Sequence, residues 1–89
     1  MLYKVVYTKG FLKEFSKLDK PVQRMIAKYI KVNIDNVANP KIKGKALVGD
    51  KGEFWRYKIG DYRVIVKISD KELVILALRA GHRKRVYGK

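Results

Sequence analysis

The sequence has no cysteine, a single histidine and only eight acidic residues among its 89. Without cysteine, a disulfide framework, a thiolate zinc site and thiol catalysis are all excluded, and a reducing compartment is the natural setting. One histidine, His82, leaves no mechanism that needs two imidazoles. The carboxylates are not clustered as two-metal catalysis requires, and no phosphate-binding loop, dinucleotide fingerprint or serine nucleophile motif occurs. We therefore expect no cofactor and no metal site.

Long hydrophobic runs are also missing. No stretch approaches the ~18–20 apolar residues of a membrane span, and residues 1–4 (MLYK) do not begin the apolar region of a signal peptide. The length fits one domain, residues 1–89, and a hydrophobic content of 47% argues against intrinsic disorder. We expect a single cytoplasmic domain with no membrane partner.

Positive charge dominates what is present. Lys and Arg number 22, the formal net charge is +14 and the pI is about 10.2. The excess is spread evenly, because residues 1–45 carry 11 basic and 3 acidic groups and residues 46–89 carry 11 and 5. A solubilising surface needs a charge of only about 2–8 in a small domain. The composition therefore predicts a polyanionic partner, either nucleic acid, an acidic protein or both.

The hydrophobic pattern predicts two helices and four strands. Residues 11–18 and a longer stretch from Pro21 to near Asn36 show helical spacing, and residues 37–52 form a long loop containing Pro40. The predicted strands are 2–8, 53–59, 62–69 and 73–80. The order β-α-α-β-β-β predicts an α+β fold, in which an N-terminal αα-hairpin packs on one face of an antiparallel sheet.

A two-residue hairpin loop at Gly60-Asp61 fixes a register for the two middle strands. Lys58 then lies opposite Arg63, and side chains directly opposite share a face of the sheet. One face would cover the helices and the other would gather four cations: Arg56, Lys58, Arg63 and Lys67. Like charges placed opposite each other are destabilising, so this face is either an anion-binding surface or an ordinary solvated one.

The C-terminal run GHRKRVYGK adds histidine, arginine and tyrosine to these cations. Guanidinium groups match phosphate geometry, and aromatic rings stack on unpaired bases. Cleavage of RNA by its own 2′-OH needs a base for that hydroxyl, stabilisation of the phosphorane and an acid for the leaving oxygen. Arginines can do the second task without a metal, and His82 and Glu53 are candidates for acid–base work.

The residues that carry a family resemblance span nearly the whole chain. They are Leu18-Asp19-Lys20, Asn39-Pro40, the segment WRYKIGDYRVI at 55–65 and the segment GHRKRVY at 81–87. In this order they resemble the RelE/ParE superfamily of toxins from bacterial and archaeal toxin–antitoxin pairs.

The resemblance to the RelE branch implies a metal-independent endonuclease that cuts mRNA in the ribosomal A site. It implies that Arg63 and Arg83 hold the scissile phosphate, that Tyr87 orients the nucleotide or assists proton transfer, and that Arg56 and Lys58 lie on a catalytic strand. It further implies three partners: mRNA, the ribosome and a small acidic RelB-like antitoxin. We expect further RNA contacts from six basic residues: Lys43, Lys45, Lys67, Arg79, Lys84 and Arg85.

The sequence departs from the RelE pattern in one respect, because that pattern has two lysines one residue apart on this strand. The matching positions here are Phe54 and Arg56, so the lysine base of the pattern is absent and His82 or Glu53 would substitute. Two alternatives stay open. One is a ParE-like inhibitor of DNA gyrase without catalytic activity, and the other is a non-catalytic RNA- or ribosome-binding module.

Overall fold

The computed structural model describes residues 1–47 and 53–87, without the side chain of Tyr87. Eight elements follow one another in this part of the chain: β1 (Lys4–Tyr7), α1 (Lys9–Ser16), α2 (Lys20–Asn33), β2 (Lys45–Ala46), β3 (Phe54–Ile59), β4 (Tyr62–Ser69), β5 (Val74–His82) and α3 (Arg83–Tyr87). Within it, no helix is long and apolar enough to cross a membrane.

The strands form one five-stranded sheet in the order β1-β5-β4-β3-β2. The three pairs from β2 to β5 are antiparallel, and the predicted α+β class with its helical hairpin is confirmed. One detail differs from the expectation of a wholly antiparallel sheet, because β1 runs parallel to β5. The αα-hairpin between β1 and the rest of the sheet acts as the crossover that a parallel pair requires.

Both helices begin where their sequences favour it. The Thr8 hydroxyl accepts a hydrogen bond from the amide of Phe11 and caps α1. Pro21 lies in the first turn of α2, where a missing N–H costs nothing. The buried stripe of these helices, which includes Phe11, Ile26 and Ile30, packs on the sheet and forms the core with the strands.

The predicted hairpin register is confirmed. Ile59 pairs with Tyr62, Lys58 with Arg63 and Arg56 with Ile65. The face that covers the helices, here called the inner face, buries Tyr57, Ile59, Val64 and Val66 and half-buries Trp55. The opposite face, here called the outer face, carries the basic residues.

Two short elements were not predicted. Strand β2 lies inside the segment expected to be a loop, and its backbone pairs with Trp55 and Arg56. Helix α3 lies in the segment read only as a basic tail. Residues 48–52 of the predicted loop and the last two residues of the chain, 88–89, are outside the described part of the structure.

Candidate nucleic-acid interface

Two rungs of the sheet place basic residues directly opposite each other on the outer face. Lys45 of β2 pairs with Arg56 of β3, and Lys58 of β3 pairs with Arg63 of β4. Such pairs are unfavourable until an anion lies between or above them. A phosphate oxygen placed over this part of the sheet would therefore meet positive charge from three adjacent strands.

A pocket of about 200 Å³ lies at the β2 edge of this face. Its lining consists of Lys43, Gly44, Lys45, Arg56 and Lys58. It is here called the edge pocket. The four basic side chains and the glycine that line it within the described part of the chain suit a phosphate group.

Close packing of the backbone at Gly44 holds the edge pocket together. A Cβ at this position would lie 2.9 Å from Cε1 of Tyr57 and 3.3 Å from the carbonyl oxygen of Arg56. The Tyr57 hydroxyl in turn donates a hydrogen bond to the carbonyl of Pro40. Glycine is thus required for the loop to approach β3, and that approach brings Lys43 and Lys45 beside Arg56.

Arg63 is buried, with only 6% of its surface exposed. Its Nη1 donates to the carbonyl oxygens of Gly60 and Tyr62, each at 2.9 Å, so the guanidinium is fixed against the hairpin turn. Its Nε is buried without a hydrogen-bond partner. A buried donor left unpaired costs stability, whereas the two Nη1 hydrogen bonds hold the side chain against the turn.

Helix α3 explains part of this burial. Arg63 pairs with Gly81, and a Cβ at Gly81 would lie 3.4 Å from Cγ2 of Val86. The buried Val86 of α3 therefore packs over the outer face beside Arg63. The Arg83 amide, which begins α3, donates to the carbonyl of Asp61 at 2.9 Å. The Arg83 backbone thus lies beside the hairpin turn that holds Arg63, and the Arg83 side chain is exposed.

Neither acid–base candidate lies on the rung of Lys58 and Arg63. His82 pairs with Tyr62, which lies on the same face of β4 as the buried Val64 and Val66. The imidazole therefore lies on the inner face. Glu53 precedes β3 and forms an ion pair with Lys67 at 3.8 Å. It lies five residues before Lys58, or roughly 16 Å along an extended strand.

The other predicted RNA contacts have varied surroundings. Lys67 lies on the outer face over the ring of Phe54, at 5.9 Å from the centroid. Arg79 donates to Glu14 at 2.9 Å and to the carbonyl of Val86 at 3.3 Å, and so connects α1 with α3. Lys84 and Arg85 are exposed on α3. Tyr87 ends α3, and its side chain is outside the described part of the structure.

Two features of this region were not found by sequence reasoning. Gly44 was not singled out, because a glycine in a loop carries no local signal of which segment its backbone approaches. Glu14 was not singled out either, yet its carboxylate accepts from both Arg79 and the amide of Ala80. No local signal identifies that role, because the two partners are 65 and 66 residues away.

The fold and this face define a small basic α+β domain. The family of ParE toxins of type II toxin–antitoxin systems, parDE, matches the chain over residues 5–87. A curated Escherichia coli protein with the provisional name RelE-like toxin protein is 33% identical over 87 residues, covering 96% of this chain and 87% of that one.

Solved structures of toxin–antitoxin complexes share the fold. The RelBE2 complex from Mycobacterium tuberculosis has a chain that is 23% identical, with a TM-score of 0.81, covering 93% of this chain and 94% of that chain. The RelE–RelB complex from Pyrococcus horikoshii has one that is 26% identical, with a TM-score of 0.72, covering 96% and 99%. The chain belongs to the ParE toxin family, within the RelE/ParE superfamily, and is a toxin of the type II toxin–antitoxin class.

Proposed function

We propose that this toxin cleaves mRNA on the ribosome by attack of a 2′-OH on the adjacent phosphate, without a metal ion, and so inhibits translation. The observation that carries the proposal is the directly opposed pair Lys58 and Arg63 beside the edge pocket. Arrays of like charge on a sheet are unfavourable unless an anion compensates them, and a strained phosphorane is the anion that such an array stabilises best.

Each cation has a separate task in this proposal. Arg63, which the hairpin carbonyls hold in place, supplies a preorganised charge near the scissile phosphate, and Arg83 contacts the same phosphate from the start of α3. Arg56 and the edge pocket hold a neighbouring phosphate of the strand. Preorganised donors of this kind stabilise the transition state more than the ground state.

Proton transfer is assigned to Lys58 and Tyr87. His82 lies on the inner face and Glu53 is distant, so neither is placed to take the 2′-OH proton directly. Lys58 shares a rung with Arg63, and an amine can give and take a proton whereas a guanidinium cannot. Tyr87 follows Val86 in α3, and its phenol is assigned to the leaving oxygen on the family resemblance.

The proposal includes three partners: mRNA, the ribosome and an antitoxin. The Mycobacterium tuberculosis and Pyrococcus horikoshii relatives were solved as toxin–antitoxin and RelE–RelB complexes. A net charge of +14 favours a small acidic antitoxin for this chain as well. The site of action is the cytoplasm, where ribosomes and messages meet.

The test uses ribosomes programmed with a defined mRNA and maps RNA ends after adding purified protein. We expect cuts that end in a 2′,3′-cyclic phosphate and disappear when the nucleotide 5′ of the cut carries a 2′-deoxy sugar. Lys58→Ala and Arg56→Ala should each slow cleavage by about 10²-fold, the order seen when one transition-state donor is removed. Lys71→Ala, an exposed lysine in the turn between β4 and β5, is the matched control and should cleave normally. Intact messages on stalled ribosomes would refute the proposal.

A second candidate is inhibition of DNA gyrase without catalysis, as in the ParE branch. Two observations favour it: the matching family is ParE toxins, and Arg63 is covered by α3 rather than open to substrate. Purified gyrase distinguishes the two. An inhibitor would stabilise double-strand breaks and leave mRNA whole, whereas the proposed nuclease would leave gyrase unaffected.

A further inference from the structure

A second pocket, of about 340 Å³, lies at the open edge of β5. Strand β1 pairs with β5 only as far as Ala77, so the end of β5 borders α1 and α3 instead. The lining includes Lys17 from the end of α1, His82 from β5, Arg85 from α3 and Tyr62 from β4. It is here called the β5 pocket. Two segments distant in sequence, α1 and the junction of β5 with α3, thus bring basic side chains to one space.

The imidazole of His82 is held in a defined way. Its Nδ1 accepts a hydrogen bond from the Lys84 amide at 3.2 Å, and its ring lies edge-on to Tyr62 at 5.5 Å between centroids. Since Nδ1 is an acceptor, a neutral imidazole carries its proton on Nε2. His82 therefore offers an N–H donor in either protonation state, as an anion site requires.

Glu14, the carboxylate in the lining, is already engaged. Its Oε1 accepts from the Ala80 amide at 3.0 Å and its Oε2 from Arg79 at 2.9 Å. Arg79 compensates its charge, and the side chains of Lys17 and Arg85 remain as positive charge in the pocket. Backbone amides of alternate residues on a strand point the same way, so the amide of His82 also faces this edge, as that of Ala80 does.

We propose that the β5 pocket binds a phosphate group, held by Lys17, Arg85 and the Nε2–H of His82. Tyr62 and Leu18 provide an apolar wall beside it, which suits the nucleoside part of a phosphorylated nucleotide. The phosphate belongs either to a free nucleotide-like ligand or to an RNA backbone that passes this edge. Among the described residues the β5 pocket shares no lining residue with the edge pocket, although Gly81 and Val86 extend its lining toward the region beside Arg63. The test of phosphate binding does not depend on the proposed cleavage.

The single histidine makes the test direct, because its imidazole NMR signals need no assignment. The protein is titrated with pyrophosphate in one arm and with a short RNA oligonucleotide in the other. We expect saturable shifts of the His82 signals in at least one arm. The double variant Lys17→Ala/Arg85→Ala should weaken that binding by about tenfold or more, as loss of two charge-assisted contacts predicts.

The matched control is Lys28→Ala/Lys31→Ala, which removes two exposed lysines of α2 and the same total charge. It should bind within about twofold of the parent, because neither lysine lines the β5 pocket. Non-specific attraction, which depends on net charge, would instead weaken both double variants equally. The probe that binds more tightly identifies the source of the phosphate. Unmoved His82 signals in both arms, or equal weakening by both double variants, would overturn the site whether or not the protein cuts mRNA.

Discussion

Lys58 and Arg63 occupy directly opposite positions on β3 and β4, so two positive charges share one rung of the sheet. One is exposed and the other is buried, with its Nη1 on the hairpin carbonyls and its Nε unpaired. A sequence optimised only for stability would place neither charge there. The arrangement lowers the stability of the folded state, and we attribute its presence to the binding of a polyanion.

Replacing Arg63 with methionine should separate stability from activity. Arg63→Met removes a buried unpaired donor and fills the same space with an apolar chain, but it also removes the two Nη1 hydrogen bonds to the carbonyls of Gly60 and Tyr62. Because such bonds contribute about 0.5–1.5 kcal/mol each and the apolar chain offsets part of their loss, we expect the free energy of unfolding in urea to fall by no more than about 2 kcal/mol, while cleavage on programmed ribosomes is lost. A stability loss beyond about 3 kcal/mol, typical of breaking a needed buried charge, would instead assign Arg63 a structural role.

The exposed partner, Lys58, should contribute to the salt dependence of RNA binding. Each phosphate contact with a single strand releases counterions and adds about 0.7 to the slope of log K against log salt. Lys58→Gln should reduce the slope by about that amount and weaken binding to all sequences alike. Lys71→Gln removes the same charge from a distant turn and should leave the slope unchanged. Fluorescence anisotropy over a range of salt concentrations measures both.

The register of this hairpin could be predicted because its determinants are local. Gly60-Asp61 fixes the loop, and strict alternation in 62–69 fixes which side chains face the helices. The same alternation predicts that Arg56, Lys58 and Arg63 share one face of the sheet. It could not show that Arg63 is buried, because the residue that covers this region, Val86, belongs to a helix 23 positions later.

Other parts of the site depend on non-local contacts that no short window contains. His82 was a candidate acid or base because it lies in the same C-terminal run as Arg83, yet it pairs with Tyr62 on the inner face, whereas Arg63 lies on the outer face. The parallel pairing of β1 with β5 was missed for a similar reason. A strand before two helices can return at either end of the sheet, and the hydrophobic pattern of residues 2–8 is the same in both cases.

Gly44 provides a test of how the edge pocket is built. In Gly44→Ala the new methyl group would lie 2.9 Å from the buried Tyr57 ring, so the loop carrying Lys43 and Lys45 must shift. We expect a loss of about 1–3 kcal/mol in the free energy of unfolding and weaker RNA binding. Gly10→Ala is the control. Its Cβ would have ordinary contacts, the nearest at 3.6 Å, and alanine in α1 should add about 0.5–1 kcal/mol. Equal effects of the two substitutions would contradict the close-packing argument.

Glu14 should make stability depend on pH through its contacts with Arg79 and the Ala80 amide. Burial alone raises the pKa of this carboxyl, but the hydrogen bonds from Arg79 and Ala80 and the charges of Arg79 and Lys17 outweigh it, so the folded-state pKa is lowered. A lowered folded-state pKa contributes stability above the ordinary glutamate pKa of about 4.3, and that contribution is lost as the pH falls through the folded value.

Glu14→Gln should therefore lower the free energy of unfolding at neutral pH and have little effect in strong acid. The Glu14 side chain is 34% exposed, and after screening by solvent the expected loss at neutral pH is about 0.5–1 kcal/mol. Urea denaturation at several pH values measures the difference, with Glu72→Gln, an exposed turn residue, as the control that should show no such trend. A deficit of the same size at neutral and at acid pH would mean that the amide substitution disturbs packing between α1 and β5, and that the charge of Glu14 contributes nothing to holding them together.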